Sequence, residues 1–264
     1  MNIISNAIDA IPHEGTVFIQ TEALGDQQER AELLNKLHEK VAQQERIMKL
    51  FQRYVPESVV ESIVSSRSDD SIFDGESRIV SVLFSDIRNF TSLVDKLEPK
   101  LVVSFLNEYF TAMTQCVISH KGTVNKFIGD AIFAIFGVPV SHIDNQYNVV
   151  NCALAMKERL AAINEKYFEK LGSQVDIGIG IHTGEVIVGN IGSEHRIEYT
   201  AIGDTVNVTS RIESLTKSSP TCILISESTY RAVFDTFEVK AWEPVEIKGK
   251  PDKIKVYEVV GEKR

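Results

Sequence analysis

Two textures of apolar and polar positions divide the chain. From Leu34 to Val55, apolar side chains recur at alternating steps of three and four, at Leu34, Leu37, Val41, Met48, Phe51 and Val55, with Gln44 the polar exception. That spacing predicts an a/d seam of about three heptads. It would suit either a parallel two-stranded coiled coil or an amphipathic helix packed on its own domain. Pro56 interrupts the seam, and Val59, Val60, Ile63 and Val64 form a second short apolar face. The polar run Ser65 to Glu76 then reads as a linker.

From Ser77 the texture becomes mixed. Arg78 to Phe84 is β-rich, and a polar turn follows at Ser85 to Thr91. Pro99 is placed to open a helix whose one face carries Leu101, Val102, Phe105, Leu106, Tyr109, Phe110 and Met113, with Gly122 beyond its end. Thr123 to Ile128 and Ala131 to Phe136 are apolar runs separated by Gly129 and Asp130, the pattern of a tight hairpin. A second long helix is predicted over Asn145 to Phe168. A strand over Val175 to Ile181 then leads into Gly184 to Ile191, and the tail adds a helix from Asn207, a strand at Cys222 to Ser226 and closing strands between Phe237 and Val260. The order β-α-β-β-α-β predicts an α+β fold of the split, ferredoxin-like kind with a C-terminal extension, its antiparallel sheet covered by helices on one face.

Charge sharpens the boundary. Of 37 acidic and 28 basic side chains, residues 1 to 76 hold 14 and 7, and residues 77 to 264 hold 23 and 21. We therefore read an upstream segment over 1–30, a coiled-coil arm and linker over 31–76, and a catalytic-sized domain over 77–264. The net charge of -9 argues against a general nucleic-acid binder. No apolar run in the sequence suggests a membrane-spanning segment, and the N-terminus lacks signal-peptide features, so a cytoplasmic setting is expected. Cys116, Cys152 and Cys222 form no CxxC pair and read as buried core thiols.

Two aspartates carry the candidate chemistry. Asp86 closes the first strand and Asp130 sits in the hairpin turn. In a split fold both project from neighbouring strand ends, a geometry able to hold divalent cations, although each is equally a common turn residue. The turn from Ile87 to Thr91 offers backbone N–H groups to phosphate oxygens but lacks the glycines and lysine of a P-loop. Gly178, Gly180 and Gly184 mimic a dinucleotide loop yet fall within a strand pattern, so they read as allowing close packing. Lys126, Arg211 and the Lys248-Gly249-Lys250 turn are the cationic candidates. Lys126 alternates with apolar neighbours and so belongs to a defined strand face. His182 and His195 lack partners at metal or triad spacing, and no Gly-x-Ser-x-Gly elbow occurs.

Four motifs occur in order: Phe84-Ser85-Asp86-Ile87-Arg88-Asn89-Phe90-Thr91, Lys126-Phe127-Ile128-Gly129-Asp130-Ala131, Gly180-Ile181-His182-Thr183-Gly184, and Tyr199 to Asn207. Together they resemble the catalytic domain of class III nucleotidyl cyclases over about residues 77 to 260, and Arg53-Tyr54-Val55-Pro56 resembles the segment joining such domains to coiled-coil transducers. The resemblance implies an adenylyl cyclase that converts ATP to 3′,5′-cyclic AMP and pyrophosphate. It implies Mg2+ or Mn2+, two per active site, on Asp86, Asp130 and the Ile87 carbonyl. Lys126 and Thr200 match the pair that reads the purine, with Ile202, Phe90 and Thr91 also lining the substrate. Asn207 and Arg211 match the residues that orient the ribose and stabilise the transition state. Lys248 matches a lysine on the terminal phosphates, and Arg196, one residue from His195, an arginine on the α/β phosphates.

In the resembling family, metal aspartates and purine-reading residues of one site come from different subunits, which implies a homodimer here. Thr200 stands where hormone-regulated adenylyl cyclases carry aspartate, and so resembles the branch of cyanobacterial and bicarbonate-responsive enzymes; bicarbonate stimulation is a further implication. Asn2 to Ala10 with Thr16 to Gln20 resembles the asparagine box of histidine-kinase ATPase modules or forms an ordinary short helix. An upstream sensory or signalling domain is the implied partner. The alternatives are a guanylyl cyclase, which would typically carry Glu and Cys in place of Lys126 and Thr200, and a non-catalytic nucleotide-sensing dimerisation module.

Overall fold

The computed structural model describes residues 27–51, 75–193, 196–218, 222–246 and 253–263. The asparagine-box segment, the Arg53 to Pro56 joint, the second apolar face, nearly all of the linker, His195 and Lys248 lie outside the described residues. The chain divides into two compact units, Met1–Arg67 and Ser68–Arg264. The first contains helix α1 (Gln27–Phe51), which covers most of the predicted seam. Leu34 and Val41 of that seam are exposed in the single chain.

The second unit is built on β1 (Glu76–Ile87). Its side chains alternate across the sheet: Leu83 and Ile87 enter one apolar cluster, while Val80 and Val82 enter another on the opposite face. One turn of helix, α2 (Phe90–Val94), precedes α3 (Pro99–Ser119), which has proline in its first turn and buries Phe105, Tyr109, Ala112, Met113 and Val117 at helical spacing. By length and composition alone α3 would pass for a membrane-crossing helix, a test that the core helix of a folded domain also passes. Here it packs that buried face against the sheet and α4 (Asn145–Leu171). Each large apolar side chain so buried contributes about 1.5–3 kcal/mol.

The predicted hairpin forms from β2 (Gly122–Ile128) and β3 (Ala131–Phe136), with Gly129 at φ 64°, where a side chain would be strained. Instead of a strand leading into a separate segment, β4 (Ile177–Ser193) is a single long strand. Its first part pairs with β1, and its far end pairs with β5 (Arg196–Ile202), a strand that the apolar pattern did not predict. Helix α5 (Asp204–Leu215) starts three residues before the predicted Asn207. It is followed by β6 (Ile223–Ser226), α6 (Glu227–Val233), β7 (Phe237–Ala241) and β8 (Val256–Glu262). The strand order is β2-β3-β1-β4-β6-β8-β7, with β5 paired to β4 off this path.

Two details correct the expectation of an antiparallel sheet covered on one face. Strand β6 runs parallel to β4, because the chain returns through α5 as a crossover. Helix α5 itself lies on the face opposite α3 and α4: a Cβ added to Gly180 would lie 2.2 Å from the backbone nitrogen of Glu213. The close-packing reading of Gly178 and Gly180 is thus met: Gly180 abuts α5, and Gly178 abuts Thr216, the residue after that helix. Cys152 is buried as expected, whereas Cys116 and Cys222 are only half-buried; all three are free thiols.

Candidate active site

Asp86 extends from the α5 face of β1, two residues beyond Phe84. Strand β1 pairs with β3 through Ser85 and Ile132, which brings Asp86 beside the hairpin turn that holds Asp130. The backbone N–H of Ile87 donates to Asp130 Oδ2 at 3.2 Å. Burial first, then the hydrogen bond and charge of Asp86, push the Asp130 carboxyl up to about 6. A carboxyl whose proton affinity is raised by a neighbouring carboxylate marks a place that favours a cation.

An internal cation already leans on this pair. Lys217 Nζ donates to Asp86 Oδ2 at 2.7 Å and lies 4.0 Å from Glu213 Oε2. The hydrogen bond to Asp86 holds the ammonium above its ordinary value. Glu213 is buried beneath Gly178 and Gly180, one of its carboxylate oxygens has no hydrogen-bond partner, and burial pushes it up to about 7. Among the described residues no group of three or more His, Cys, Asp or Glu side chains converges as a metal cage. The donor set fits an open site, in which Asp86 and Asp130 would hold a hard divalent ion.

A second constellation lies along β2 and β5. Lys126 is paired with Phe133, which stacks on Phe84 with ring centroids 4.8 Å apart, so Lys126 shares the sheet face of Asp86. The predicted defined face for Lys126 is therefore the α5 face. Its ammonium donates to Glu198 Oε2 at 2.5 Å. Register slips between Val124 and Lys126, a bulge that leaves Asn125 without a cross-strand partner. Asn125 Nδ2 donates to the Tyr199 carbonyl at 2.9 Å, and its Oδ1 accepts from the buried Thr200 hydroxyl at 3.0 Å. Strand β5 thereby brings Thr200 beside β2, and Ile202, exposed at its end, pairs with Ile187.

Asn207 and Arg211 stand four residues apart on α5, on one helix face, with Asn207 exposed and Arg211 half-buried. Phe90 and Thr91 open the five-residue α2 behind Asn89, whose φ is 55°. Arg196 begins β5. His182 Nδ1 lies 2.8 Å from the Ser226 hydroxyl, a side-chain contact away from either constellation.

The family model for the adenylate and guanylate cyclase catalytic domain matches residues 74–261. The chain belongs to that family. Among curated relatives of the cyclase domain, adenylate cyclase 1 of Rhizobium meliloti is 35% identical over 214 residues, covering 80% of this chain and 32% of that protein. An adenylate cyclase of Anabaena cylindrica is 35% identical over 218 residues, covering 79% of this chain and 42% of that one. The chain thus spans well under half the length of these relatives. Among solved structures, the guanylyl cyclase Cya2 is 39% identical at a TM-score of 0.67, covering 72% of this chain and 95% of its own. The adenylyl cyclase CyaB from P. aeruginosa is 31% identical at a TM-score of 0.69, covering 72% and 98%.

Four residues that make contacts in the cyclase domain escaped the sequence. Glu213 carried a readable signal, a carboxylate among Val208, Thr209, Ile212 and Thr216 on the buried side of α5. Lys217 follows it at i,i+4. Asn125 and Glu198 carried none, because both depend on the β2 bulge and on the fold of β5 back toward β2.

Proposed function

We propose that this cyclase domain is an adenylyl cyclase, which converts ATP to 3′,5′-cyclic AMP and pyrophosphate by attack of the ribose 3′-hydroxyl on the α-phosphorus. The observation that carries the reading is that Asp86 and Lys126 extend from one face of one sheet, each tied to its own set of partners. Asp86, Asp130 and the Ile87 carbonyl would hold two Mg2+ or Mn2+ ions. A divalent ion held there would supply neutralisation of phosphate charge and favour the ionised 3′-hydroxyl. Lys126 donates to purine N1, and Thr200 pairs with the 6-amino group, with Ile202 and Phe90 against the base and Thr91 near the phosphates. Asn207 orients the ribose, Arg211 stabilises charge on the pentavalent phosphorus, and Lys248 and Arg196 hold the phosphates.

A site divided between subunits requires a second copy of the chain, with metal carboxylates from one and Lys126, Thr200, Asn207 and Arg211 from the other. The seam on α1, with Leu34 and Val41 exposed, supports a coiled-coil dimer that passes on a signal from an upstream sensory domain. ATP as substrate accords with a cytoplasmic setting. Bicarbonate stimulation is part of the same reading, and equal activity with and without bicarbonate at fixed pH would remove it.

Relatives named adenylate cyclase and a solved neighbour named guanylyl cyclase make nucleotide choice the point to test. Steady-state assays of the purified chain with Mn2+ should yield cyclic AMP with kcat/KM for ATP at least about tenfold above that for GTP, a ratio worth roughly 1.4 kcal/mol. Cyclic GMP as the main product would support the guanylyl alternative. Nucleotide binding without either product would mark a sensing module.

A further inference from the structure

Thr200 has an ambiguity that its type does not resolve. A threonine hydroxyl carries one proton and two lone pairs, so it donates to an oxygen or accepts from an amino group with equal ease. As a reader of position 6 of a purine it would tolerate both the 6-amino group of adenine and the 6-oxo group of guanine.

The bonds around Asn125 remove that freedom. The Tyr199 backbone carbonyl has no proton to give, so the group facing it at 2.9 Å must be the amide NH2 of Asn125. With the NH2 end fixed there, the amide oxygen faces Thr200 Oγ1 at 3.0 Å, and an amide oxygen only accepts. The single Thr200 proton is therefore committed to Asn125. Its lone pairs remain available to a ligand, and they can only accept.

A bulge makes the arrangement possible. Neighbouring residues of a regular strand point to opposite faces, yet Asn125 and Lys126 both reach partners on β5, Thr200 and Glu198. The register slip between Val124 and Lys126 supplies the extra residue that allows this. Tyr199 and Thr200 are consecutive, so one side chain ties the backbone and the hydroxyl of the same strand segment.

We propose that Asn125 is a positioning residue for nucleotide selection: it fixes the polarity of the Thr200 hydroxyl so that Thr200 accepts from a 6-amino purine and repels a 6-oxo purine. The proposal rests on the reading that Thr200 faces the purine. A 6-oxo group against a locked acceptor leaves a desolvated oxygen without a donor, a penalty of roughly ten- to a hundredfold in binding.

The test compares wild type with Asn125→Leu, which is close in size and removes both ends of the lock, on three substrates: ATP, GTP, and purine riboside triphosphate. The last keeps N1 as an acceptor and lacks the 6-amino group. In wild type, kcat/KM for ATP exceeds that for purine riboside triphosphate. In Asn125→Leu, kcat/KM for GTP rises on the order of tenfold relative to that for ATP. That for purine riboside triphosphate stays within about twofold, and that for GTP does not fall. Thr200→Ser keeps the hydroxyl and retains the wild-type order. An equal change on all three substrates, or an unchanged ATP to GTP ratio, overturns the proposal. If Asn125→Leu does not fold, Asn125→Ala must show the same pattern. Failure of the underlying reading looks different: wild type then shows no ATP preference, and Thr200→Val alters no substrate selectively.

Discussion

The two faces of the central sheet are made by the same strands, and they do different work. The face under α3 and α4 is a continuous apolar layer, with Leu83, Phe105, Tyr109, Met113, Ile132, Phe136, Ile177, Ile179 and Ile181 almost wholly removed from water. The face under α5 has smaller apolar clusters and carries Asp86, Lys126, Glu213 and Lys217. Because side chains alternate, one strand serves both: in β1, Leu83 and Ile87 enter the core under α3 and α4, while Phe84 packs on Phe133 and Asp86 meets Lys217 on the other face. Charge is concentrated on the side where burial is incomplete, and the fully packed side anchors it.

Substitutions on the two faces should therefore separate activity from stability. The largest effect is expected of Asp86→Ala or Asp130→Ala, a loss of at least about 1000-fold in kcat with little change in melting temperature. Cyclase assays and thermal melts on the same preparations check this, and an equal fall in both would merge the two faces. Phe105→Ala on the opposite face should cost about 3–5 kcal/mol of stability by denaturant titration, while the folded fraction keeps its kcat/KM.

Two pH effects are smaller and belong to the α5 face. The Glu213 carboxyl rises from an ordinary 4.5 to about 7, so folding favours its protonated form. Its contribution to stability is full below about 4.5 and is lost as pH rises toward and through 7. Glu213→Gln should thus raise stability by about 1–3 kcal/mol at pH 8 and by almost nothing at pH 4.5. Melts across pH would show it, and a gain independent of pH would contradict the assignment. Asp130, pushed up to about 6, must lose its proton before a cation binds. Mn2+ affinity measured by electron paramagnetic resonance should fall up to about tenfold per unit as pH drops below 6, and Asp130→Asn should abolish that dependence.

Legibility in the sequence followed the same division. Helical and strand periodicity exposed the apolar face, and turn chemistry exposed Asp86 and Asp130, since each lies where a β-rich run gives way to polar residues. Gly178 and Gly180 announced a close approach but not its partner, because nothing local says that α5 crosses to the other face. Strand β5 and the Asn125 bulge stayed hidden for a related reason. A bulge breaks the alternation by which strands are read, and β5 follows β4 with only residues 194–195 between them. Lys217 was obscure because its partner Asp86 is 131 residues away.

The central claim is that the α5 face supplies two complementary halves of a site shared between two copies of the chain. Mixing Asp86→Ala with Arg211→Ala tests it most directly, each variant being nearly inactive alone and carrying a different affinity tag. A mixed dimer isolated through both tags should regain one working site, with cyclic AMP formation at about half the wild-type rate per dimer. Mixed dimers that form and remain as inactive as either parent would contradict the account.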